Sequence, residues 1–277
     1  MFYKVVINNV PLYRSSLIDG VSAHVVHGFS TRLGGVSTLP HTKSLNIAFG
    51  LGDDDSTVRR NIDIFSRAVS DSALDSASVI MASQIHSTII RIVNENNRGE
   101  GSIIASGEPC DGFAADRPGI MPIIRVADCV PIILCGTKAD GSPVISAVHA
   151  GWRGTVSGIA GAAVSAMTEL MCERSTIRAA IGTHIGYCCY EVGDDFVESI
   201  EKIRGSEFAA RHIRYHNGSL HADLTSMNIE ILGESGIAES DIDVSPYCTM
   251  CAPDEYFSHR ATGGKRGVMG AGLAILP

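Results

Sequence analysis

No apolar run in this chain of 277 residues approaches the length needed to cross a bilayer. Basic runs are missing as well, and with a net charge of −8 neither nucleic acid nor an anionic membrane surface is expected as a partner. No Gly-x-Gly-x-x-Gly or Gly-x-x-x-x-Gly-Lys-Ser/Thr segment follows a predicted strand, so the fingerprints of dinucleotide binding and of triphosphate hydrolysis are absent. The zinc deaminase signature, His-x-Glu followed by Pro-Cys-x-x-Cys, is absent too: Pro246-Tyr247-Cys248 is offset and no His-x-Glu occurs. No linker or low-complexity segment divides the chain, and Met1-Phe2-Tyr3-Lys4 does not begin a basic and then apolar leader. The expectation is one domain over residues 1–277, cytoplasmic, with enough chain to bury a core.

Eight cysteines, at 110, 129, 135, 172, 188, 189, 248 and 251, read as reduced thiols in that compartment rather than a disulfide framework. Cys248-Thr249-Met250-Cys251 has the spacing of half a zinc ribbon or of a redox pair. No second pair with matching spacing accompanies it, so its reading is structural.

The single tryptophan stands in Ala147-Val148-His149-Ala150-Gly151-Trp152-Arg153-Gly154. An apolar strand ends there in a tight turn, presenting His149 and Arg153 together. Two segments of the same kind precede it, Ala82-Ser83-Gln84-Ile85-His86-Ser87 and Val126-Ala127-Asp128-Cys129-Val130-Pro131. Taken singly, a His or Cys at a strand edge reads as a packed core residue. Together, His86, Cys129 and His149 are a candidate metal set, and three imidazole and thiolate ligands match a catalytic zinc with an open fourth position. Gln84 and Asp128 are polar groups in apolar surroundings that need partners if buried.

Coarse patterning places these motifs. Asp53-Asp54-Asp55-Ser56 offers an N-cap to a helix whose apolar face is Val58, Ile62, Phe65 and Val69. Strands are expected at Val79–Ala82 and Ile89–Val93 on either side of His86. Met121–Val126 and Val130–Leu134 flank Cys129, with Pro131 interrupting regular pairing. Pro143–Val148 is the next strand. A helix starting after Gly154-Thr155 then carries Val156, Ile159, Ala163, Met167 and Leu170 on one face, and its N-terminal N–H groups with Arg153 would favour an anion beside His149. Ile177–Ile181 reads as a strand, and Asp194–Ile203 and Asp223–Leu232 as helices. Helices and strands mix without strict alternation, which argues for an α+β layered fold.

The segments Ser30-Thr31-Arg32-Leu33-Gly34-Gly35-Val36-Ser37, Ser44-Leu45-Asn46, Gln84-Ile85-His86, Ala127-Asp128-Cys129-Val130-Pro131, His149-Ala150-Gly151-Trp152-Arg153-Gly154 and Cys188-Cys189-Tyr190-Glu191-Val192 occur in that order. With Phe257-Ser258-His259-Arg260 and Gly263-Gly264-Lys265-Arg266 near the end, the chain resembles the YfiH/YlmD group, once named polyphenol oxidase or laccase-domain proteins. The resemblance implies a single-domain layered α/β sandwich with mixed sheets, of the YfiH type. It also implies a zinc-dependent purine nucleoside phosphorylase acting on adenosine, inosine and methylthioadenosine, with adenosine deamination as a second activity. His86, Cys129 and His149 map by motif onto the metal ligands and catalytic centre. Asn46, Arg32, Asp128, Arg153 and Arg260 are the candidates for contacting nucleoside and inorganic phosphate.

The older oxidase label fits the residues poorly. A multicopper oxidase needs a three-copper cluster built mostly from histidines, yet none of the ten histidines forms a His-x-His pair. Copper remains possible in a single His/Cys/His site, since it generally outcompetes zinc for nitrogen and sulfur ligands. The chain departs from the family's Ile-Gly-Pro pattern at Ile181-Gly182-Thr183-His184-Ile185-Gly186, where His184 either adds a polar contact to the pocket or fills a turn. It departs again at Ser258-His259-Arg260-Ala261, where a Tyr-Arg-Arg is usual. Two other functions stand beside the phosphorylase: a hydrolase that removes a misincorporated amino acid from a UDP-sugar cell-wall precursor through Cys129 and His149, and a non-enzymatic metal-binding module. The sequence sets no oligomeric state.

Overall fold

The computed structural model describes residues 1–277. In chain order the chain forms β1 (Phe2–Ile7), β2 (Val10–Ser15), α1 (Ser16–Asp19), β3 (Val25–Ser30), α2 (Asp55–Val69), β4 (Val79–Ile80) and β5 (Ile90–Ile92). Next come β6 (Gly112–Ala115), β7 (Met121–Val126), β8 (Val130–Thr137), β9 (Pro143–Ala150), α3 (Trp152–Val156), α4 (Ile159–Glu169) and β10 (Arg178–Ile181). The last part holds α5 (Asp194–Arg204), α6 (Ser206–His212), β11 (Ile213–His216), β12 (Ser219–Ala222), α7 (Leu224–Glu234), β13 (Ile242–Val244), α8 (His259–Thr262) and β14 (Met269–Ile275).

Two six-stranded mixed sheets carry the architecture, in the orders β1-β2-β3-β14-β7-β4 and β13-β10-β8-β9-β6-β5. The central strands β8, β9 and β14 are buried on both faces and sort their side chains by period two. Ile132 and Leu134 of β8 join the cluster beneath α4 and α7, whereas Ile133 and Cys135 join Phe29, Ile124 and Leu273 between the sheets. On the far side Leu12, Ile123 and Ala274 pack against Val58, Ile62, Phe65 and Val69 of α2. The result is a helix–sheet–sheet–helix sandwich, the layered α+β fold expected from the sequence. Its inner layer tolerates little: truncating Ile133, which is fully buried, to Ala costs roughly 2–5 kcal/mol.

The helix on Val58, Ile62, Phe65 and Val69 forms where the periodicity places it, and all four side chains are fully buried. Other expectations need correction. The helix after His149 is two pieces, α3 beginning at Trp152 on an N-cap of Gly151 and α4 beginning after Gly158, whose φ of 88° breaks the run. Pro131 does not interrupt pairing. It is the second residue of β8, in register with His149, and its carbonyl accepts from the Gly182 N–H. Pairing of β8 with β10 begins one residue later, at Ile132.

The connections position the site. The link from β7 to β8 passes from the first sheet to the second, and so does the link from β4 to β5. Cys129 lies on the first crossing and His86 on the second, while His149 lies near the end of β9. All three are therefore at one open end of the sandwich.

Candidate metal centre and cavity

Sequence dictates unusual backbone at both crossings. His86 has φ 60° and Asp128 φ 86°, left-handed values that cost a non-glycine residue about 1–2 kcal/mol each. Hydrogen bonds to two buried carboxylates hold them there. Asp111, fully buried, accepts from the N–H groups of Ile85 (3.1 Å), His86 (3.0 Å) and Ser87 (2.6 Å) and from the Ser87 hydroxyl (2.8 Å), clamping the loop that carries His86. Asp128 accepts from Thr249 Oγ1 (2.5 Å), Ser258 Oγ (3.1 Å) and the Arg260 N–H (2.7 Å). Gln84 bonds the Arg125 backbone in both directions at 2.8 Å, supplying the partner a buried amide needs.

His86, Cys129 and His149 come together with their ligand atoms all within 4.8 Å of one another. Cys129 Sγ stands 3.9 Å from His86 Nε2, and the two imidazoles meet edge to face with centroids 4.9 Å apart. His149 Nδ1 is 2.8 Å from Asp111 Oδ1, which leaves Nε2 turned toward the cluster. Gly151 has to be glycine here, because a Cβ would lie 2.5 Å from His86 Cδ2.

Electrostatics polarise the group. Burial pushes the Cys129 thiol up, but hydrogen bonds and charge from His149 and His86 outweigh it and bring it down to about 6. Burial pushes the His149 imidazole down, yet Asp111 and then Cys129 raise it to about 9. Burial opposes ionisation of Asp111, but His149 and Ser87 hold its carboxyl well below the usual range. Near neutral pH the metal-free cluster is therefore a thiolate beside an imidazolium.

The donor set fits zinc. Tetrahedral coordination at about 2.3 Å for sulfur and 2.0–2.1 Å for nitrogen separates these atoms by roughly 3.6 Å, close to the 3.9 Å between Cys129 and His86. The carboxylate behind His149 is the support that metal-bound histidines normally have. The three donors leave one tetrahedral position facing a cavity of about 480 Å³.

That cavity is lined by Gln84, Arg125, Asp128, His259, Arg260 and Arg266 on its polar side and by Trp152, Ile185, Tyr190 and Leu224 on its apolar side. Trp152 packs on Phe196, with centroids 4.9 Å apart. Arg266 Nε is buried without a hydrogen-bond partner, a cation aimed at something polar. Burial pushes its guanidinium down, while Asp128 and Cys129 pull it back up.

The substrate-contact candidates divide. Asp128 and Arg260 line the cavity, although Asp128 already accepts three hydrogen bonds and Arg260 Nη1 donates to the Glu191 carbonyl at 2.8 Å. Arg32, Asn46 and Arg153 do not line it. Arg32 donates to the Lys43 (2.9 Å) and Pro253 (2.7 Å) carbonyls and stacks on Phe257. Asn46 is fully buried, bonding Ala48, Asp53 and the Val268 N–H. Arg153 is exposed over the Trp152 ring, at the start of the five-residue α3. His184 neither lines the cavity nor fills a turn: it is buried at a β-bridge to Cys248, with its ring bonding the Gly182 carbonyl and Thr225 Oγ1.

Asp111, Tyr190 and Arg266 escaped sequence reasoning as site residues. Asp111 carried a signal, a lone carboxylate between Cys110 and an apolar strand. Arg266 carried little, since Gly263-Gly264-Lys265-Arg266-Gly267 reads as a flexible hairpin. Cys248 and Cys251 do have companions: Cys188 and Cys189 lie against them, a pair hidden by its adjacent spacing.

Comparison with known proteins places the chain among relatives of matching length. A family model described as multi-copper polyphenol oxidoreductase laccase matches residues 26–276. The chain is 34% identical over 250 residues to purine nucleoside phosphorylase YlmD of Geobacillus stearothermophilus, covering 89% of each. It is 31% identical over 247 residues to adenosine deaminase RL5 of an unknown prokaryotic organism, covering 87% of this chain and 91% of that one. The crystal structure of YlmD from Geobacillus stearothermophilus superposes with a TM-score of 0.82 at 30% identity over 96% of both chains. The Bacillus licheniformis hypothetical protein YfiH gives the same score and identity over 91% of this chain and 93% of that one.

Proposed function

The chain belongs to the family described as multi-copper polyphenol oxidoreductase laccase, whose solved members include YfiH and YlmD, and from that premise we propose that it is a zinc-dependent purine nucleoside phosphorylase with adenosine deaminase activity. Adenosine, inosine and methylthioadenosine are its proposed nucleosides. The observation that carries this reading is the three-donor cluster set in the wall of a cavity that also holds the unpartnered Arg266 Nε. The family's copper name has no such support: a three-copper cluster has no histidines to build it, because the remaining cluster of possible ligands consists of four cysteines. Copper in the His86, Cys129 and His149 site would be a substitute for zinc, not an oxidase centre. The names of two relatives, a purine nucleoside phosphorylase and an adenosine deaminase, agree with the reading.

A bound zinc supplies a Lewis acid next to the substrate, able to polarise an oxygen or lower the pKa of water. The protein's own residues do the rest. Arg266 and Arg260 hold inorganic phosphate and balance its charge. Trp152, Ile185, Tyr190 and Leu224 give the purine and ribose an apolar wall, and about 480 Å³ accommodates a nucleoside with phosphate. Asp128 already accepts from Thr249, Ser258 and the Arg260 N–H, and its role here is positional. It fixes the start of α8 and so the position of Arg260. His259, together with the second amide hydrogen of Gln84, is left to meet a purine edge on which negative charge develops as it leaves.

One observation favours a second reading. Cys129, His149 and Asp111 are the residue types of a cysteine hydrolase triad, with His149 Nδ1 2.8 Å from Asp111 and the Cys129 sulfur within 4.8 Å of the His149 ring nitrogen. A Cys129 that holds metal is blocked as a nucleophile, so metal content separates the two. The test is metal analysis of the purified protein coupled to inosine and adenosine turnover with and without phosphate. About one zinc at this site, with phosphate-dependent release of hypoxanthine or adenine, supports the phosphorylase. A protein with no metal at this site that is inert toward nucleosides after zinc addition overturns it in favour of the hydrolase. Tight zinc without turnover of any nucleoside leaves a metal-binding module.

A further inference from the structure

Four thiols meet about a separate point on the molecule. The Sγ atoms of Cys188, Cys189, Cys248 and Cys251 all lie within 4.8 Å of one another, with Cys189 3.4 Å and Cys188 3.6 Å from Cys251. Around a tetrahedral zinc at about 2.3 Å, sulfur atoms stand roughly 3.8 Å apart. All eight cysteines are free thiols, and these sulfurs are spaced for a shared ion rather than a covalent bond of about 2.05 Å.

The backbone around them is arranged as a metal-binding turn would be. The Gly186 N–H points at Cys248 Sγ from 3.2 Å, and the N–H groups of Met250 and Cys251 aim at the same sulfur. Such donors stabilise thiolate charge. His184 and Cys248 form a β-bridge, and the Thr249 N–H donates to the His184 carbonyl at 3.0 Å, so the two cysteine-bearing segments are already in register. Gly186 is confined by this packing: an added Cβ would lie 3.3 Å from both Cys188 Sγ and Cys248 Cβ. Cys188 and Cys251 are exposed, which gives an ion a route in from solvent.

We propose that Cys188, Cys189, Cys248 and Cys251 form a second, structural metal site, a closed tetrathiolate centre for zinc, independent of the His86, Cys129 and His149 cluster. Four sulfur donors with no open position match a structural zinc and exclude hard cations such as magnesium or calcium. Its role follows from what the two segments carry. One leads into Tyr190 on the cavity wall; the other carries Thr249, whose hydroxyl holds the Asp128 carboxylate beside Cys129. The centre is a clasp on the outer rim of the cavity that touches no substrate.

The test is metal content by mass spectrometry on the wild type, Cys129→Ala and the double variant Cys248→Ser/Cys251→Ser, each purified without chelator under reducing conditions. The expected values are two zinc per chain for the wild type and one for each variant. Cobalt replacement adds a fingerprint: the Cys129→Ala protein should keep intense thiolate-to-cobalt charge-transfer absorption, since it retains four sulfur donors at one ion. Should the double variant fail to fold, Cys129→Ala decides alone, because it leaves the cluster intact. Cys129→Ala that is metal-free, that binds cobalt without thiolate absorption, or whose four cysteines have oxidised to disulfides overturns the proposal.

Discussion

Replacing Asp111 by asparagine changes no volume and removes one charge, yet it forces a choice the site has no good answer to. The carboxylate takes five hydrogen bonds: Ile85, Ser87 N–H and Ser87 Oγ on Oδ2, and His86 N–H and His149 Nδ1 on Oδ1. An amide has one oxygen to accept and one NH2 that only donates. If the oxygen stays on the Ser87 side, the NH2 faces His149 Nδ1. The imidazole then accepts there and carries its proton on Nε2, the nitrogen needed for metal. If the amide turns over, His149 keeps its tautomer but the buried N–H groups of Ile85 and Ser87 face another donor, at about 1–3 kcal/mol each. The loop holding His86 at positive φ is then released. Either way zinc affinity at this site should fall roughly 10- to 100-fold, about 1.4–2.7 kcal/mol, the usual effect of removing a carboxylate behind a metal-bound histidine. The assay is competitive chelator titration at pH 7.5, with histidine NMR on the metal-free protein, where His149 should titrate below its wild-type value of about 9 because its anionic partner is gone. Unchanged zinc affinity together with an unchanged His149 titration would refute the reasoning.

Zinc binding to the His86, Cys129 and His149 cluster should release close to one proton at pH 7.5: Cys129 is already a thiolate above about 6, whereas His149 keeps its proton up to about 9. Affinity therefore rises about tenfold per pH unit between those values, more steeply below 6 and not at all above 9; calorimetry in buffers of different ionisation enthalpy reads the count. Arg266→Met should raise the KM for phosphate roughly 10- to 100-fold, the worth of a charged hydrogen bond, with a smaller effect on inosine KM, and steady-state kinetics with each substrate varied will show it. Arg32→Ala should leave phosphate KM unchanged and lower stability by about 2 kcal/mol in urea titration, because its guanidinium serves two carbonyls and the Phe257 ring. Gly151→Ala should weaken zinc at least about tenfold while the fold persists, since its Cβ displaces the His86 ring, and circular dichroism beside metal analysis separates the two effects.

The readable parts of the sequence were those governed by local period or by chemistry confined to a few residues. Val58, Ile62, Phe65 and Val69 announce a buried helix face, and the His86, Cys129 and His149 motifs stand at strand ends where a structure can gather them. Sequence is weaker where the deciding partner is remote. Arg32 and Asn46 are polar residues in glycine-rich surroundings, and only the packing shows that Pro253 and Val268 have claimed them. Arg153 is singled out by the strand-turn-helix pattern beside His149 and by the resemblance, and neither shows that its side chain lies over the Trp152 ring rather than in the cavity lining. Asp111 acts through residues 24 to 38 positions away, a relation without any local pattern. The four-cysteine cluster was missed because Cys188-Cys189 has no spacer, whereas a distance of about 60 residues to Cys248 and Cys251 is closed only by the fold.

The position of β14 sets the order in which the molecule can be completed. It pairs with β3 on one side and β7 on the other, so the last strand of the chain fills the middle of the first sheet. A ribosome delivers it after His86, Cys129 and His149 and only a few residues behind Arg260 and Arg266. Until then β3 and β7 each keep an open edge, the kind of surface that pairs with other chains. A nascent chain halted before Met269 would thus expose two sticky borders, at β3 and β7, that β14 closes in the finished sheet, and the burden falls on whatever shields it during synthesis.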